Sequence, residues 1–546
     1  MSHSLASLAL LIATMSPVQG AAPGALESNL LQVGGQSVRV ETFEIPSPVP
    51  GPDGETAVIA LTSFRLEGQD DRPAPLVLHA NGFGLPRLQE LGPPQASKGA
   101  SFWGQLRALA SAVVLDGYHL VSFDHRGHGG SGGVSRSMDP FYEIVDVRTV
   151  LDWAEENLSV ARDDAGDPLI GTIGGSFGGG YQLLLAAFDP RVDAIVPTMT
   201  WNDLPRSLFG FGVLKQGWLE FECQMAVRGG TRTDRFFEQA CGGSEQPGAA
   251  LVEQLGSPED VRSMLETWGR SGLGHLETVW DQEATGRVLD PRLANVEPRP
   301  IDALLMQASE DVLFPLNEAL ANQRVLERGG GDVRLVVLRS GHANPAAGQG
   351  NGPATCGDLG ANEMTLAFFA RTLRGEADTT DLPEVCVAVS RSASRKLVRL
   401  PELVAGRKVA VTESDWSEGA WVFHPIETLA EARDLIGVPR FTGTVAAVEG
   451  ADQSIGLVGL AVRTDGGDPA LLSGQLVALR PGRYVEVELA GVADRLDAGT
   501  TLGLLAFETH PQFRRPARGT PTAGVLEGNR FVLDGEVRLP RLLEVE

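Results

Sequence analysis

A strand, a glycine-rich turn and a helix follow one another without a break at residues 168–188, and this feature most constrains the fold. PLIGTI (168–173) is an apolar run typical of a buried parallel strand, and YQLLLAAF (181–188) is rich in good helix formers. Between them lies GGSFGGG, whose glycines allow a turn too tight for bulkier residues. The pattern predicts an α/β fold in which Ser176 is presented at the end of a strand.

Rival interpretations of the glycine run fail on spacing. A phosphate-binding loop requires GxxxxGK[ST], and no lysine follows these glycines. A dinucleotide-binding turn requires GxGxxG, which Gly174, Gly175 and Gly178 do not provide. The GxSxG pattern itself occurs a second time, around Ser131. That serine lies well beyond its strand and precedes GGVSRSMDP, which cannot form a helix, so we interpret its surroundings as a glycine-rich loop.

Short apolar runs alternate with amphipathic runs from about residue 37 to 375, which is typical of a mostly parallel sheet flanked by helices. A helix is predicted from a cap at Asp139 to about Asn157, and another near the end of this region. Residues 201–297 interrupt the alternation with Trp-containing segments and predict a helical cap over a site. Strands are predicted at 38–45 and 56–66 as a leading hairpin, then at 75–80, 119–124, 168–173, 193–199, 301–308 and 333–338.

The character of the chain changes after the predicted helix at 361–375. Residues 382–546 carry short Val, Leu and Thr runs separated by Gly, Pro and Asp, which predicts a β-sandwich. One segment, IETLAEARDLI (426–436), is predicted to be helical. The length of 546 residues also favours more than one domain.

A nucleophilic serine requires a base that takes its proton and an acid that orients the base. SEDVLFP follows one of the predicted strands and offers Asp311 and Glu310 as the acid, of which we favour Asp311. RSGHANP follows the next strand and places His342 in a short turn. The order of Ser176, Asp311 and His342, each just after a strand, predicts a catalytic triad.

The negative charge that develops on an attacked carbonyl requires hydrogen-bond donors. One predicted donor is the backbone N–H of Phe177, directly after the serine. The other is the N–H of Phe83 in NGFG, where two glycines let the backbone approach a substrate. A tight glycine turn without a catalytic part is the alternative for this loop.

Metal-ligand patterns do not occur in the sequence. HRGH at 125–128 lacks the spacing of a HExxH zinc site, and the cysteines form no CxxC pair. We therefore expect no metal and no cofactor.

These motifs resemble those of α/β-hydrolases related to the Xaa-Pro dipeptidyl-peptidases and to acyl hydrolases of the cocaine esterase type. The resemblance rests on DHRGHGGSGG (124–133), IGGSFGGGYQLLLAA (173–187), TWNDL (200–204), SEDVLFP (309–315) and SGH (340–342). It covers about residues 37–375 and implies an α/β-hydrolase fold with Ser176, Asp311 and His342 as the triad. The β-rich remainder is similar to the jelly-roll domain that often follows in this family. The family's oxyanion tyrosine has no counterpart in residues 79–103, so two backbone donors are expected here.

The N-terminus predicts export. An apolar stretch from Leu5 to Met15 is followed by small residues around Gly20, which is typical of a signal peptide over residues 1–20. No Lys or Arg precedes the apolar stretch, and an N-terminal anchor or a misplaced start codon are the alternatives. The protein is therefore expected to be secreted or periplasmic, with no membrane span in the mature chain.

The four cysteines are consistent with that location. We expect neighbours to pair, Cys223 with Cys241 and Cys356 with Cys386, because disulfides persist in exported proteins. Four buried free thiols are the alternative.

Composition limits the partners. A hydrophobic content of 42% excludes a disordered chain, and a net charge of −25 argues against nucleic acid, which binds clustered Lys and Arg. The expected partner is a small-molecule ester or peptide substrate, and the oligomeric state is open.

The sequence leaves three functions open. The first is a dipeptidyl-peptidase-like serine peptidase, which requires a cap carboxylate for the substrate's free amine; Asp203, Glu220 and Glu222 are candidates, and solvated cap residues are the alternative. The second is a carboxylesterase or acylase. It requires an apolar pocket, and the sequence offers aromatic residues that core packing explains equally well: Trp201, Phe209, Phe211 and Trp218. The third is a secreted binding protein with a vestigial hydrolase domain, against which the intact set of three residues argues.

Overall fold

The computed structural model describes much of the chain, and the predicted signal peptide at 1–20 lies outside the described residues. The described residues are 24–545 without 52–53, 70–71, 94–101, 211–212, 214, 235–236, 239–240, 242–267, 284–291, 294–295, 343–354, 378–379, 419, 449–454 and 514–529.

One large, mostly parallel sheet forms the first part of the molecule, as the sequence predicts. Its strand order is β1-β2-β3-β5-β4-β6-β7-β8-β9-β12-β13, with β1 to β3 and β13 antiparallel to their neighbours. The bounds are β1 Glu27–Val33, β2 Gln36–Pro50, β3 Thr56–Leu66, β4 Leu76–Ala80, β5 His119–Phe123, β6 Ile170–Gly175, β7 Val192–Thr198, β8 Asp302–Ala308, β9 Val333–Leu338, β12 Val385–Ala388 and β13 Ser394–Leu397. A two-stranded ribbon, β10 Thr355–Cys356 and β11 Leu359–Gly360, lies between β9 and β12 in the chain.

Helices cover both faces of this sheet, so its central strands are buried apolar runs. Leu76 to Ala80 of β4, for example, are all buried. The helices are α1 Phe102–Leu115, α2 Glu143–Asn157, α3 Phe177–Phe188, α4 Leu204–Leu208, α5 Gln216–Gly229, α6 Leu273–Glu283, α7 Leu316–Gly329 and α8 Ala361–Arg374. Of these, α4, α5 and α6 lie between β7 and β8, where the sequence predicts a helical cap.

The C-terminal part consists of antiparallel sheets around a second core. A four-stranded sheet has the order β14-β24-β17-β21, a five-stranded sheet the order β15-β23-β18-β19 with β20 also on β18, and a small sheet the order β22-β16-β25. Val409, Leu460 and Leu533, from both larger sheets, share the apolar core between them, which is the sandwich arrangement. The bounds are β14 Arg407–Val411, β15 Trp421–Thr428, β16 Arg433–Gly437, β17 Arg440–Ala447, β18 Gly456–Arg463, β19 Ala470–Leu471, β20 Val477–Leu479, β21 Gly482–Glu488, β22 Val492–Leu496, β23 Thr501–Phe507, β24 Phe531–Arg538 and β25 Leu543–Glu544.

Three sequence predictions differ from the structure. The helix predicted from Asp139 begins at Glu143, because Asp139 Oδ1 accepts a hydrogen bond from the Phe141 N–H in a preceding turn. The helix predicted at 426–436 is wrong: residues 426–428 end β15, residues 433–436 belong to β16, and a short loop joins them, since pairing with β23 and β22 outweighs the helix propensity of this segment. The sandwich also begins later than residue 382. The buried run VCVA of β12 pairs in parallel with β9 and extends the large sheet.

The structure pairs Cys223 with Cys241 and Cys356 with Cys386, with Cα–Cα distances of 5.5 and 6.1 Å, which confirms the predicted pairing. The first disulfide ties α5 to the residues that follow it, and the second joins β10 to β12. Within the described ranges, none of the helices is both long and apolar enough to cross a bilayer.

Candidate active site

Ser176 stands at a sharp turn between β6 and α3. Its φ of 57° and ψ of −119° are rare for a residue with a side chain, and neighbouring groups hold the strained backbone in place. The Ser176 N–H donates to Thr198 O at 2.9 Å, and the Thr200 hydroxyl donates to Ser176 O at 2.9 Å. The turn is therefore rigid, and it projects the Ser176 hydroxyl above the carboxyl edge of the sheet.

Two glycines allow α3 to approach the sheet at this turn. A Cβ at Gly178 would overlap the carbonyl oxygen of Ala80 at the end of β4, and a Cβ at Gly174 would overlap Gly178 O. Gly174 also has a φ of +150°, where a side chain is strained. The glycines of GGSFGGG thus serve close packing of strand and helix rather than flexibility.

Asp311 and His342 lie in the loops that follow β8 and β9, two neighbouring parallel strands. The carboxyl ends of β6 to β9 share one edge of the sheet, which brings both loops to Ser176. His342 Nε2 lies 2.9 Å from Ser176 Oγ, and His342 Nδ1 lies 2.7 Å from Asp311 Oδ2. The structure thus joins the three residues predicted from the sequence in one hydrogen-bonded chain.

The Asp311 carboxylate is fully buried and well satisfied. Its Oδ1 accepts hydrogen bonds from the Leu313 and Phe314 N–H groups, both at 2.9 Å. Glu310, the other candidate acid, instead pairs with Arg339 at 2.9 Å. Of the two acids that the sequence offers, Asp311 is therefore the one that contacts His342.

Burial and nearby charge have opposite effects on the pKa of His342. Burial by itself lowers the pKa of the imidazole, whereas the Asp311 carboxylate, through its charge and its hydrogen bond, raises it, and Glu222 adds to this. The net effect is a His342 pKa above its ordinary value. Trp218 and Phe314 pack edge-on against the ring, with centroids 5.6 and 5.2 Å away. They shield the Ser176–His342 pair from solvent.

A cavity of about 50 Å³ opens beside Ser176 and has a largely apolar wall. Among the described residues that line it, Glu222 alone carries a charge. The others are Phe83, Ser137, Ser176, Phe177, Trp201, Leu204, Leu208, Phe237, Trp268, Leu313 and Phe314.

Burial raises the pKa of the Glu222 carboxyl to about 7, and the nearby His342 opposes this only in part. Among the residues that the structure describes, no hydrogen-bond partner of Glu222 is found. The two other candidate carboxylates differ: Asp203 caps α4 by accepting from the Arg206 N–H at 2.9 Å, and Glu220 lies outside the cavity lining. The carboxylate at the cavity is therefore that of Glu222.

The aromatic residues suggested by the sequence have different positions. Trp201 lines the cavity, Trp218 contacts the His342 ring, and Phe209 packs against Trp268 with centroids 6.1 Å apart. Phe211 lies outside the described residues. Sequence reasoning missed Phe237 and Trp268, which come from distant parts of the cap and carry no local signal.

Phe177 and Phe83 both lie at the cavity, and their rings pack with centroids 5.6 Å apart. Phe177 begins α3, so its N–H belongs to the first-turn donors that no helix carbonyl reaches. The oxyanion role of these two N–H groups stays a prediction.

Solved structures with low sequence identity share this fold. A CocE/NonD family hydrolase from Staphylococcus aureus is 15% identical, with 98% of this chain and 99% of that chain covered and a TM-score of 0.59. An alpha-amino acid ester hydrolase is 15% identical, with 92% and 96% covered and a TM-score of 0.58. An aminopeptidase from a Thaumarchaeota archaeon is 14% identical, with 92% and 97% covered and a TM-score of 0.55.

Curated relatives match only a short stretch. A quorum-quenching protein, AidA, of Acinetobacter baumannii is 34% identical over 101 residues, which are 18% of this chain and 31% of that protein. An uncharacterized 31.7 kDa protein of Escherichia coli is 33% identical over 98 residues, 18% and 32% of the two chains. The chain thus spans about a third of the length of the curated relatives it matches.

A family model covers more of the chain and carries the assignment. The model of the X-Pro dipeptidyl-peptidases matches residues 60–344, which include Ser176, Asp311 and His342 and make up just over half of the chain. The chain belongs to the X-Pro dipeptidyl-peptidase (S15) family of hydrolases.

Proposed function

We propose that the protein is a serine hydrolase that cleaves an amide or ester bond through an acyl-enzyme on Ser176. The observation that carries this proposal is the hydrogen-bonded chain from Ser176 Oγ through His342 to Asp311. Family membership supports the same reaction class. A vestigial hydrolase domain would have no need to keep a strained serine aligned with a buried histidine and aspartate.

The geometry supports a two-step reaction. As Ser176 Oγ attacks the carbonyl carbon, His342 Nε2 takes its proton, and Asp311 accepts the Nδ1–H hydrogen bond of the imidazolium. The N–H groups of Phe83 and Phe177 then stabilise the oxyanion. His342 returns the proton to the leaving amine or alcohol, and the carbonyl re-forms as an ester of Ser176. Water, deprotonated by His342, releases the acid and restores the serine hydroxyl.

For the substrate, we favour an acyl group with a free amine, as in a dipeptidyl-peptidase. Glu222 is a carboxylate in an otherwise uncharged described wall, and burial disfavours its ionised form, which raises its pKa. An ammonium group bound in the cavity would stabilise the ionised form. The amine would thus fix the substrate with its acyl carbon toward Ser176.

The second candidate is a carboxylesterase or acylase for uncharged acyl groups. The aromatic and aliphatic lining supports it, because such walls bind apolar groups without requiring a charge. In this version, the protonated Glu222 is merely one polar group in the wall. The two candidates share the chemistry at Ser176 and differ in the role of Glu222.

A fluorophosphonate probe tests the reaction class. The expected result is stoichiometric labelling of Ser176 in the folded protein, with none at Ser131 and none in Ser176→Ala. A folded wild-type protein that resists the probe would overturn the enzyme assignment and favour the binding-protein function.

Paired substrates test the role of Glu222. A dipeptidyl-proline anilide with a free amine is compared with its N-acetylated form and with short-chain nitrophenyl esters. Glu222→Gln is expected to raise KM for the free-amine substrate about tenfold or more, because a charge-assisted contact is lost, and to change ester turnover little. Glu220→Gln, on the same helix but outside the cavity lining, is the matched control. An equal effect on both substrate types would refute the amine site.

We also propose that the protein works outside the cytoplasm. The two disulfides support this, since such bonds persist in oxidising compartments. The N-terminal sequence of the protein recovered from the periplasm and medium tests the proposed removal of residues 1–20; protein found only in the cytoplasm, with these residues attached, would refute it.

A further inference from the structure

The loop that carries Asp311 is bound by a residue of the C-terminal sandwich. Gln475 is buried, and its Nε2 donates hydrogen bonds to Ser309 O at 3.0 Å and to Asp311 O at 2.9 Å. The side-chain amide of Gln475 thus donates both of its N–H groups to the turn that carries Asp311. Gln307 of β8 braces the two flanks of this loop by donating to Ala308 O at 3.3 Å and to Phe314 O at 2.7 Å, and Gln475 binds the carbonyls that lie between those flanks.

Gln475 is itself held firmly. It follows a short turn in which Ser473 and Gly474 adopt left-handed φ values of 51° and 65°. The Ser473 hydroxyl donates to Asp494 Oδ2 at 2.6 Å, which ties the turn to β22. The backbone carbonyl of Gln475 packs against Gly459 of β18, where a Cβ would overlap the carbonyl oxygen. The amide therefore approaches the Asp311 loop from a rigid support.

The same part of the sandwich also holds the strand that leads to His342. Arg339, directly after β9, forms ion pairs with Glu310 at 2.9 Å and with Asp494 at 2.8 Å, and it donates to Ala493 O at 2.6 Å. Asp494 thus links Arg339 to the turn before Gln475. The acid loop and the histidine loop share one anchor in the sandwich.

A cap residue supports the acid loop from another side. The Lys215 ammonium is buried and donates to Val312 O at 2.7 Å and to Leu313 O at 3.1 Å. The carbonyls of residues 309 and 311 are bound by the sandwich, whereas those of 312 and 313 are bound by the cap. Lys215 therefore does not replace the contacts of Gln475.

We propose that Gln475 is a positioning residue for Asp311, so that the C-terminal sandwich forms part of the catalytic apparatus. The proposal rests on the proposed function, since it concerns the alignment of the same triad. Without the two amide contacts, the backbone at Ser309 and Asp311 loses two of the hydrogen bonds that fix the position of the carboxylate relative to His342 Nδ1. Displacements of about 1 Å in such a pair cost roughly a hundredfold in rate.

The test is Gln475→Met, which keeps the length and volume of the side chain but removes both donors. We expect kcat to fall about tenfold to a hundredfold with KM changed less than about twofold, because the cavity wall is intact. The acid limb of the rate profile should also move to lower pH, since a more distant Asp311 raises the pKa of His342 less.

Thr500→Val is the control. Thr500 is buried in the same sandwich, and its hydroxyl donates to Asp497 O at 2.7 Å, away from both the acid loop and the turn that holds Gln475. It should lose stability without a change in kcat or in the pH profile. Equal kcat losses in both folded variants, or a wild-type kcat and pH profile in Gln475→Met, would overturn the proposal.

Gln475→Asn provides a second readout if the methionine variant does not fold. Its amide is one methylene shorter, so an intermediate loss of kcat with a smaller shift of the acid limb is expected. A folded asparagine variant with wild-type kcat and pH profile would also overturn the proposal. Failure of the proposed function is distinguishable, because it would appear as a wild-type protein that neither takes up the probe nor turns over any substrate.

Discussion

The two GxSxG segments of this chain share one sequence pattern, but their serine hydroxyls have different partners. Ser131 Oγ donates to Asp124 O at 2.7 Å and accepts from the Ala60 N–H at 2.9 Å, so it fastens its loop to the sheet. Ser176 Oγ instead faces His342 Nε2 at 2.9 Å. Both serines are buried, with exposures of 2% and 6%, so burial does not separate them.

The backbone explains the difference. Ser176 has a φ of 57°, which turns its side chain out of the strand direction and over the sheet edge, whereas Ser131 is not among the residues with positive φ. The five-residue motif therefore does not distinguish the two serines. The strand before the motif, the helix after it and the hydrogen-bond partner of the hydroxyl distinguish them.

The largest expected effect concerns the two serines themselves. Ser176→Ala should lower kcat/KM by about 10³-fold or more, because no other group takes the nucleophile's place. Ser131→Ala should keep activity within a few-fold but lower the free energy of unfolding by about 1–3 kcal/mol, since it leaves two buried backbone groups unpaired. Steady-state kinetics and urea unfolding measure the two effects. Loss of activity in a folded Ser131→Ala protein would contradict this contrast.

The second largest expected effect is on stability, when one glycine of each segment is replaced by alanine. Gly178→Ala places a methyl group on the backbone carbonyl of Ala80, which cannot move without disturbing β4, so we expect a loss of about 3 kcal/mol or more. A Cβ at Gly130 meets the Arg87 side chain at 3.0 Å and the Ala60 Cβ at 3.2 Å, and small adjustments relieve this. Gly130→Ala is therefore the control, with a smaller loss. Similar unfolding midpoints for both variants would contradict the prediction.

Buried histidines in and beside the Ser131 loop should make the folded protein less stable in acid. Burial lowers the pKa of His128 to about 4, and His79 on the neighbouring strand β4 has a pKa lowered to about 3. The unfolded chain binds these protons below pH 6.5 and the native protein does not, so stability is present above pH 6.5 and is lost as the pH falls toward 4. The slope is about 1.4 kcal/mol per pH unit for each histidine. Urea unfolding of wild type and His128→Asn measures it; a slope that the substitution leaves unchanged would refute the assignment to His128.

The smallest expected effect concerns the pKa of His342, the hydrogen-bond partner of Ser176. Only neutral His342 accepts the serine proton, so kcat/KM should fall as the pH drops through the His342 pKa, which lies above the ordinary histidine value. Glu222→Gln removes one of the charges that raise this pKa and should move the acid limb to lower pH by less than about one unit. Rates with an uncharged ester substrate isolate this effect. An acid limb that moves upward in the variant would contradict it.

Much of the fold follows from local patterns in the sequence. Buried strands read as apolar runs, and Ser176, Asp311 and His342 each follow such a strand, so their order along the chain indicates one shared edge of a parallel sheet. The segment at 426–436 shows the limit of this reasoning. Its residues favour a helix by themselves, but hydrogen bonds to β22 and β23, far along the chain, make its two ends strands joined by a short loop.

The sequence by itself determined the α/β class, the glycine turn that presents Ser176 and the positions of Asp311 and His342 just after strands, because these depend on short-range periodicity and on glycine. Only the tertiary structure decided between Asp311 and Glu310, placed Glu222 at the cavity, and brought Gln475 to the acid loop. Those outcomes depend on distances between segments separated by many residues. Such distances are set by packing, which no local pattern encodes.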